Sequence, residues 1–159
     1  MPSNAENAIA VFEKAIGGED GPTEWHEITQ EQVNQFADAT LDHQFIHVDP
    51  ERAAQTPFGG PVAHGFLTLS LPAGLSMGMK TDPAAAQGMV MAVNYGLDKV
   101  RFINPVRVGR RIRLTRKLIS ADLVAGGSAV QLKHEVTIHI EDEAKPACVA
   151  ESLTRFVYS

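Results

Sequence analysis

The sequence predicts an α+β fold in which an antiparallel sheet wraps around one apolar helix. Three observations carry this. Helical patterns come first and consecutive strand patterns follow. Residues 62–71 are apolar nearly all round, as a helix enclosed by other elements must be. Val130, Leu132, His134, Val136, Ile138 and Ile140 alternate strictly with polar neighbours, the period of a strand with one covered and one wetter face.

The elements follow in order. Residues 5–16 suit a short amphipathic helix, with Ile9, Val11, Phe12 and Ile16 as its apolar positions. Gly17, Gly18, Gly21 and Pro22 then break the chain. Residues 1–23 are therefore read as an N-terminal extension and residues 24–159 as a single domain. A short strand is expected over 25–28. Thr29 then caps a helix, and Gln32 three residues later completes a capping-box pattern. Val33, Phe36, Ala37 and Thr40 share one face of that helix. Asp49 starts another short helix, with Pro50 in its first turn where no partner for an N–H is needed. Phe58-Gly59-Gly60-Pro61 is a turn feeding the apolar helix. Strands are expected over 89–95, 99–102, 111–120, 130–140 and 148–157, with turns at Gly126-Gly127 and 142–146.

Bulk properties narrow the function. A chain of 159 residues suits one domain. The formal charge of −5 argues against a general nucleic-acid binder, which needs a basic surface to displace counterions. Cys148 stands alone, so no internal disulfide framework exists, and a reducing, cytoplasmic setting is expected. Residues 1–10 carry no basic run and no long apolar run, so no signal peptide is expected. The most apolar stretch, 61–79, is interrupted by His64, Thr68, Ser70 and Pro72, which fits a buried helix better than a membrane span.

Three features carry possible chemistry. The first is Asp42-His43-Gln44-Phe45-Ile46-His47, placed between two helices. A carboxylate and an imidazole there can hold one water, one group taking its proton while the other delivers a proton to the substrate. The competing reading is a loop of capping and solvated residues. Asp42, His43 and His47 also sketch a metal set, His43 and His47 four apart, but no Glu follows His43 and no metal is expected. The second feature is Gly60-Pro61-Val62-Ala63-His64-Gly65, at the start of the apolar helix. A helix N-terminus presents free N–H groups to a developing oxyanion, and Gly65 permits close approach. The alternative is that Gly65 serves only packing. The third is charge. Lys99, Arg101, Arg107, Arg110, Arg111, Arg113, Arg116 and Lys117 lie in a stretch without Asp or Glu, which suggests a ligand with several phosphates. Solvated strand positions that discourage edge pairing account for some of them.

The segment Asp42 through His47, continued by Val48-Asp49-Pro50-Glu51-Arg52-Ala53, resembles the hydratase signature of the MaoC-like dehydratases. Gly60 through Leu67, Asn94-Tyr95-Gly96, Arg101-Phe102 and Pro105-Val106 are similar to that family too, in its order, and the resemblance spans residues 24–157. It is nearest to the branch named for nodulation protein N. Leu41, Gln44 and Phe45 stand where R-specific hydratases carry Gly, Asn and Pro; Leu41 is the odder departure.

The resemblance implies a hot-dog fold, a homodimer, an acyl-coenzyme A thioester substrate and no cofactor beyond the coenzyme A of that substrate. It implies syn addition of water to a trans-2-enoyl thioester, giving the R-3-hydroxyacyl product. Asp42 and His47 would hold the water, and the Gly65 N–H would polarise the thioester carbonyl. Gln44, His64, Asn94, Lys99 and Arg101 would contact the substrate. Two rivals share the ligand. A hot-dog thioesterase often carries an acid on its enclosed helix, and residues 62–79 contain none. A non-catalytic acyl-coenzyme A binding protein would have little use for both Asp42 and His47.

Overall fold

The computed structural model describes residues 1–159. Helix α1 (Asn4–Ala15) opens with a full capping box between Ser3 and Glu6. Its buried face is Ala5 and Ala8, with Ile9 and Phe12 packed beside them. Two alanines let the helix axis lie close to the sheet, so the small residues, rather than Val11 and Ile16, set the contact. The segment read as an N-terminal extension also supplies β1 (Glu19–Asp20), which pairs with β4.

Strand β2 (His26–Glu27) leads into α2 (Gln30–Thr40). Thr29 Oγ1 accepts from the Gln32 N–H at 3.1 Å, as the sequence suggests. The reciprocal half of the capping box is absent, because the Gln32 side chain turns to His26 Nε2 at 2.9 Å. Val33 and Ala37 are fully buried, whereas Thr40 is exposed and returns its hydroxyl to the Phe36 carbonyl. Two single-turn helices follow, α3 (Phe45–Val48) and α4 (Pro50–Ala53). Asp49 caps α4 by accepting from the Arg52 N–H at 3.1 Å.

Helix α5 (Gly65–Leu75) begins three residues later than the apolar run. The reason is the backbone before it. Val62 bridges Arg107, and the Ala63 N–H donates to Val106 O, so this stretch is extended and pinned to the neighbouring chain. The helix is also less enclosed than its composition suggests. In one chain its Phe66 is 68% exposed, and Met77 just beyond its end is 86% exposed.

After α6 (Pro83–Ala86) come β3 (Met89–Phe102), β4 (Arg111–Val124), β5 (Ala129–Ile140) and β6 (Cys148–Tyr158). The antiparallel order is β1-β4-β5-β6-β3, with β2 also on β4. The two strands expected over 89–102 are one. Register shifts at Asn94/Gly96 and Asp98/Arg101, with Lys99 at φ 51°, absorb the break without ending the ladder. The even-numbered row of β5 from Val130 to Ile140 is buried, as its alternation predicts. Toward one end of this face α5 meets Ile112, Leu114, Val136 and Ile138. Toward the other, α1 covers Leu118, Val130, Leu132 and Tyr158. This is the α+β, sheet-and-helix arrangement of a hot-dog fold.

Candidate active site

The segment between α2 and α4 is held by backbone and side chain together. Leu41 closes α2 in the left-handed conformation, φ 67° and ψ 12°, and is 81% exposed. A side chain there costs about 1–2 kcal/mol relative to an unstrained position, which glycine would avoid. Downstream, Gln30 Nε2 of α2 donates to the His47 carbonyl at 2.7 Å. The Val62 N–H donates to Ile46 O at 2.9 Å. The one-turn helix α3 is thereby tied to the strand-like stretch that precedes α5.

His47 is buried at 7% exposure. Its Nδ1 lies 2.6 Å from the Val62 carbonyl, which can only accept, so Nδ1 carries the proton and Nε2 keeps its lone pair. Burial lowers the pKa of His47 below the usual histidine value. The Val62 hydrogen bond opposes that, the His64 imidazole reinforces it, and Asp42 opposes it weakly. The result is an imidazole suited to accept a proton at neutral pH.

His64 is 2% exposed. Its Nε2 donates to the Asp42 carbonyl at 2.9 Å, and its ring stacks on His47 with centroids 3.8 Å apart and planes 24° apart. Asp42, His47 and His64 each place a polar side-chain atom within 4.8 Å of the others. Asp42 itself is exposed, so the cluster opens to solvent on its carboxylate side.

The three are spaced as a metal set would be, but the two rings stack with 24° between their planes, a poor arrangement for aiming two imidazole lone pairs at one ion. His43 takes no part: its Nε2 lies 2.8 Å from Asp38 Oδ1, away from His47.

The start of α5 completes the site. His64 is its N-cap residue yet makes no cap bond to its own helix. The first N–H groups of α5, beginning with Gly65, therefore keep the orphan status of an uncapped helix end. Glycine also suits position 65 for a reason that the sequence does not show. A Cβ there would lie 3.1–3.2 Å from the ring of Phe102. Phe102, which also meets Phe66 edge-on at 5.9 Å, thus packs against the Cα side of Gly65.

The remaining expected contacts scatter. Gln44 is exposed at the N-cap of α3 and makes no side-chain cap bond. Asn94 is exposed on β3, eight residues from Phe102 and so roughly 25 Å along the strand. Lys99 Nζ pairs with Glu151 at 3.1 Å, and Arg101 folds back onto the Val100 carbonyl. The basic stretch is not a continuous patch. Lys99, Arg110, Arg111 and Arg116 meet Glu151, Glu143, Glu141 and Asp20, and Arg113 stacks on Trp25. Arg107 donates to Gly59 O and, with Arg110, Asn104 and Phe58, borders a cavity of about 180 Å³. A larger depression of about 470 Å³ lies behind the sheet, among Trp25, Arg113, Thr115 and His139. There Thr115 Oγ1 meets His139 Nε2 at 2.8 Å and Arg113 lies over the Trp25 ring, with its buried Nε unpartnered.

The sequence profile of the MaoC-like domain matches residues 11–139. The chain is 50% identical over 150 residues to 3-hydroxyacyl-thioester dehydratase Z of Mycobacterium tuberculosis, covering 94% of this chain and 96% of that protein. It is 46% identical over 150 residues to nodulation protein N of Rhizobium leguminosarum bv. viciae, covering 94% and 91%. The R-hydratase PhaJ1 of Pseudomonas aeruginosa superposes with a TM-score of 0.66 at 19% identity, over 91% of this chain and 83% of that one.

Proposed function

The chain belongs to the MaoC-like domain family, and we propose that it hydrates trans-2-enoyl thioesters to R-3-hydroxyacyl thioesters and catalyses the reverse dehydration. The observation that carries this reading is the convergence of Asp42, His47 and an uncapped helix start within one small site. It is supported by the 50% identity to a 3-hydroxyacyl-thioester dehydratase.

The chemistry follows from the geometry. His47 Nε2 accepts a hydrogen bond from a water that the Asp42 carboxylate also holds. The pair takes a proton from this water as its oxygen bonds to the β-carbon. The electrons of the double bond move onto the thioester oxygen, giving an enolate. The same pair returns a proton to the α-carbon on the same face, so the sum is syn addition of one water. The enolate charge meets the Gly65 N–H, a donor that needs no reorganisation. The reaction needs no group beyond the substrate and water.

The carrier is coenzyme A or a phosphopantetheine arm, and we place its phosphates by Arg101 and Arg107, which no carboxylate neutralises. A carrier thioester and the buried, unpaired Cys148 fit a cytoplasmic setting. We also propose a homodimer. Strand β3 is a 14-residue edge whose Val90, Met91, Val93, Tyr95 and Leu97 are exposed, beside the uncovered Phe66 of α5. Pairing of two such edges would remove both exposures. Sedimentation at micromolar concentration is expected to give twice the chain mass; a monomer rules this out.

The test of the activity is crotonyl-coenzyme A followed in two channels. Loss of the conjugated double bond without release of free thiol is expected. Thiol release would make the protein a thioesterase instead, and ligand binding with no change in either channel would make it a binding protein.

A further inference from the structure

We propose that His64 is the positioning residue of this site, fixing Asp42 through a hydrogen bond and His47 through a ring contact. The proposal rests on the hydratase reading above and adds to it a residue that acts through the other two.

The backbone of His64 is anchored on both sides. Val62 and Ala63 are tied to the 106–107 stretch, and Gly65 begins α5. From this fixed point Nε2 reaches 22 residues back to the Asp42 carbonyl, at 2.9 Å. Asp42 needs such an anchor, since it lies in the non-helical stretch between α2 and α3, just after the strained Leu41. The same ring lies on His47 at 3.8 Å and contacts Phe36 at 4.9 Å. The His47 ring is held in its plane by its bond to Val62 O, and the stack keeps it from tilting away from Asp42.

The other ring nitrogen sets His64 apart from an ordinary core histidine. Nδ1 is buried without a hydrogen-bond partner. A buried acceptor left unpaired is costly, and an apolar side chain of similar shape would avoid it. An imidazole is nevertheless used here. It alone supplies both a donor for Asp42 and a flat face for His47. The side-chain groups acting on the charge of His47 are Asp42 from the loop and His64 from the start of α5, with opposite signs, besides the Val62 carbonyl. The His64 ring is one of the influences that lower the pKa of His47, so it helps to keep His47 ready to accept a proton.

Two variants test this in the full-length protein. His64→Gln keeps an amide N–H that reaches the Asp42 carbonyl but removes the ring; His64→Ala removes both. With crotonyl-coenzyme A, His64→Ala is expected to lose about a hundredfold in kcat with KM changed less than about threefold. His64→Gln should recover about tenfold of that loss, the worth of one well-placed hydrogen bond. NMR titration of the His47 ring, identified by its absence in His47→Ala, reads the influence of the His64 ring on His47 without substrate. Its midpoint should move to higher pH in both variants, and the acid limb of kcat/KM should move with it. A His47 midpoint that stays in place or falls, or equal kcat losses in the two variants, would overturn the proposal. The hydratase reading fails separately, if Asp42→Asn and His47→Ala keep normal turnover.

Discussion

Two histidines of this protein are buried to the same extent, His47 beside α5 and His134 in the middle of β5, each 7% exposed. Burial lowers the pKa of both. Their surroundings differ. His47 has a carbonyl on one nitrogen, a stacked imidazole and a carboxylate nearby. His134 sits in an apolar row between Leu132 and Val136, with only the charges of Arg116 and Asp20 acting on it from a distance. Burial and a shifted pKa therefore do not mark the reaction site. In the proposed reading, the convergence of groups that can hold one water does. A histidine in a core row is a liability the fold tolerates, whereas one with three polar neighbours is a device.

The largest effect should come from the convergent side. Asp42→Asn removes the carboxylate but keeps its shape and the backbone bond to His64. Turnover should fall at least about a hundredfold, within the ~10²–10⁴ range for a positioned acid or base, with unchanged thermal unfolding. Near-normal turnover would leave the cluster without a role. Next is Gly65→Pro, which removes the N–H at a helix position where proline is tolerated. A loss of ~3–4 kcal/mol in transition-state stabilisation is expected, with substrate affinity largely kept. Gly65→Ala retains the donor but pushes a methyl group against Phe102, so a smaller loss is expected. Adding Phe102→Leu should restore activity to Gly65→Ala and not to Gly65→Pro. If it rescues both, crowding rather than the N–H governs this position.

The other side of the comparison predicts stability instead of rate. His134 titrates at about 4 in the folded protein against 6.5 in an open chain. As pH falls below 6.5 the unfolded chain takes the proton first, so stability is lost between pH 6.5 and about 4 and is fully present above that window. The loss amounts to about 3 kcal/mol. His47 and His139, also lowered, act in the same direction. Urea unfolding at pH 7 and pH 4.5 should show a markedly smaller difference in His134→Leu than in the parent. An unchanged difference would assign the acid sensitivity elsewhere.

Much of this was legible in the sequence, and the misses share a cause. The strands, the Thr29 and Asp49 caps and the Asp42–His47 segment follow from local chemistry, because a cap or an alternation is complete within a few residues. What needs the fold is long-range. The run 99–117 contains no acid, yet Glu141, Glu143, Glu151 and Asp20 reach four of its cations from other elements. The resemblance offers His64 as a substrate contact, and its bond to Asp42, 22 residues back, is seen only in the fold. The role of Phe102 at Gly65 also needs the fold. Leu41 is an intermediate case. It departs from the glycine of related hydratases, and its positive φ explains why glycine suits the position. Leu41→Gly should therefore change stability by no more than about 1 kcal/mol, with the strain relieved offset by added freedom in the unfolded chain. A loss much beyond this would mean that the Leu41 side chain makes contacts that outweigh its strain.

The central claim, that convergence and not burial locates the chemistry, is tested most directly by turnover of His47→Gln and His134→Leu measured side by side. With crotonyl-coenzyme A at pH 7.5, where both proteins should be folded, the first is expected to lose at least about a hundredfold and the second to stay within about threefold of the parent. Equal losses in the two, or a loss confined to His134→Leu, would contradict the account.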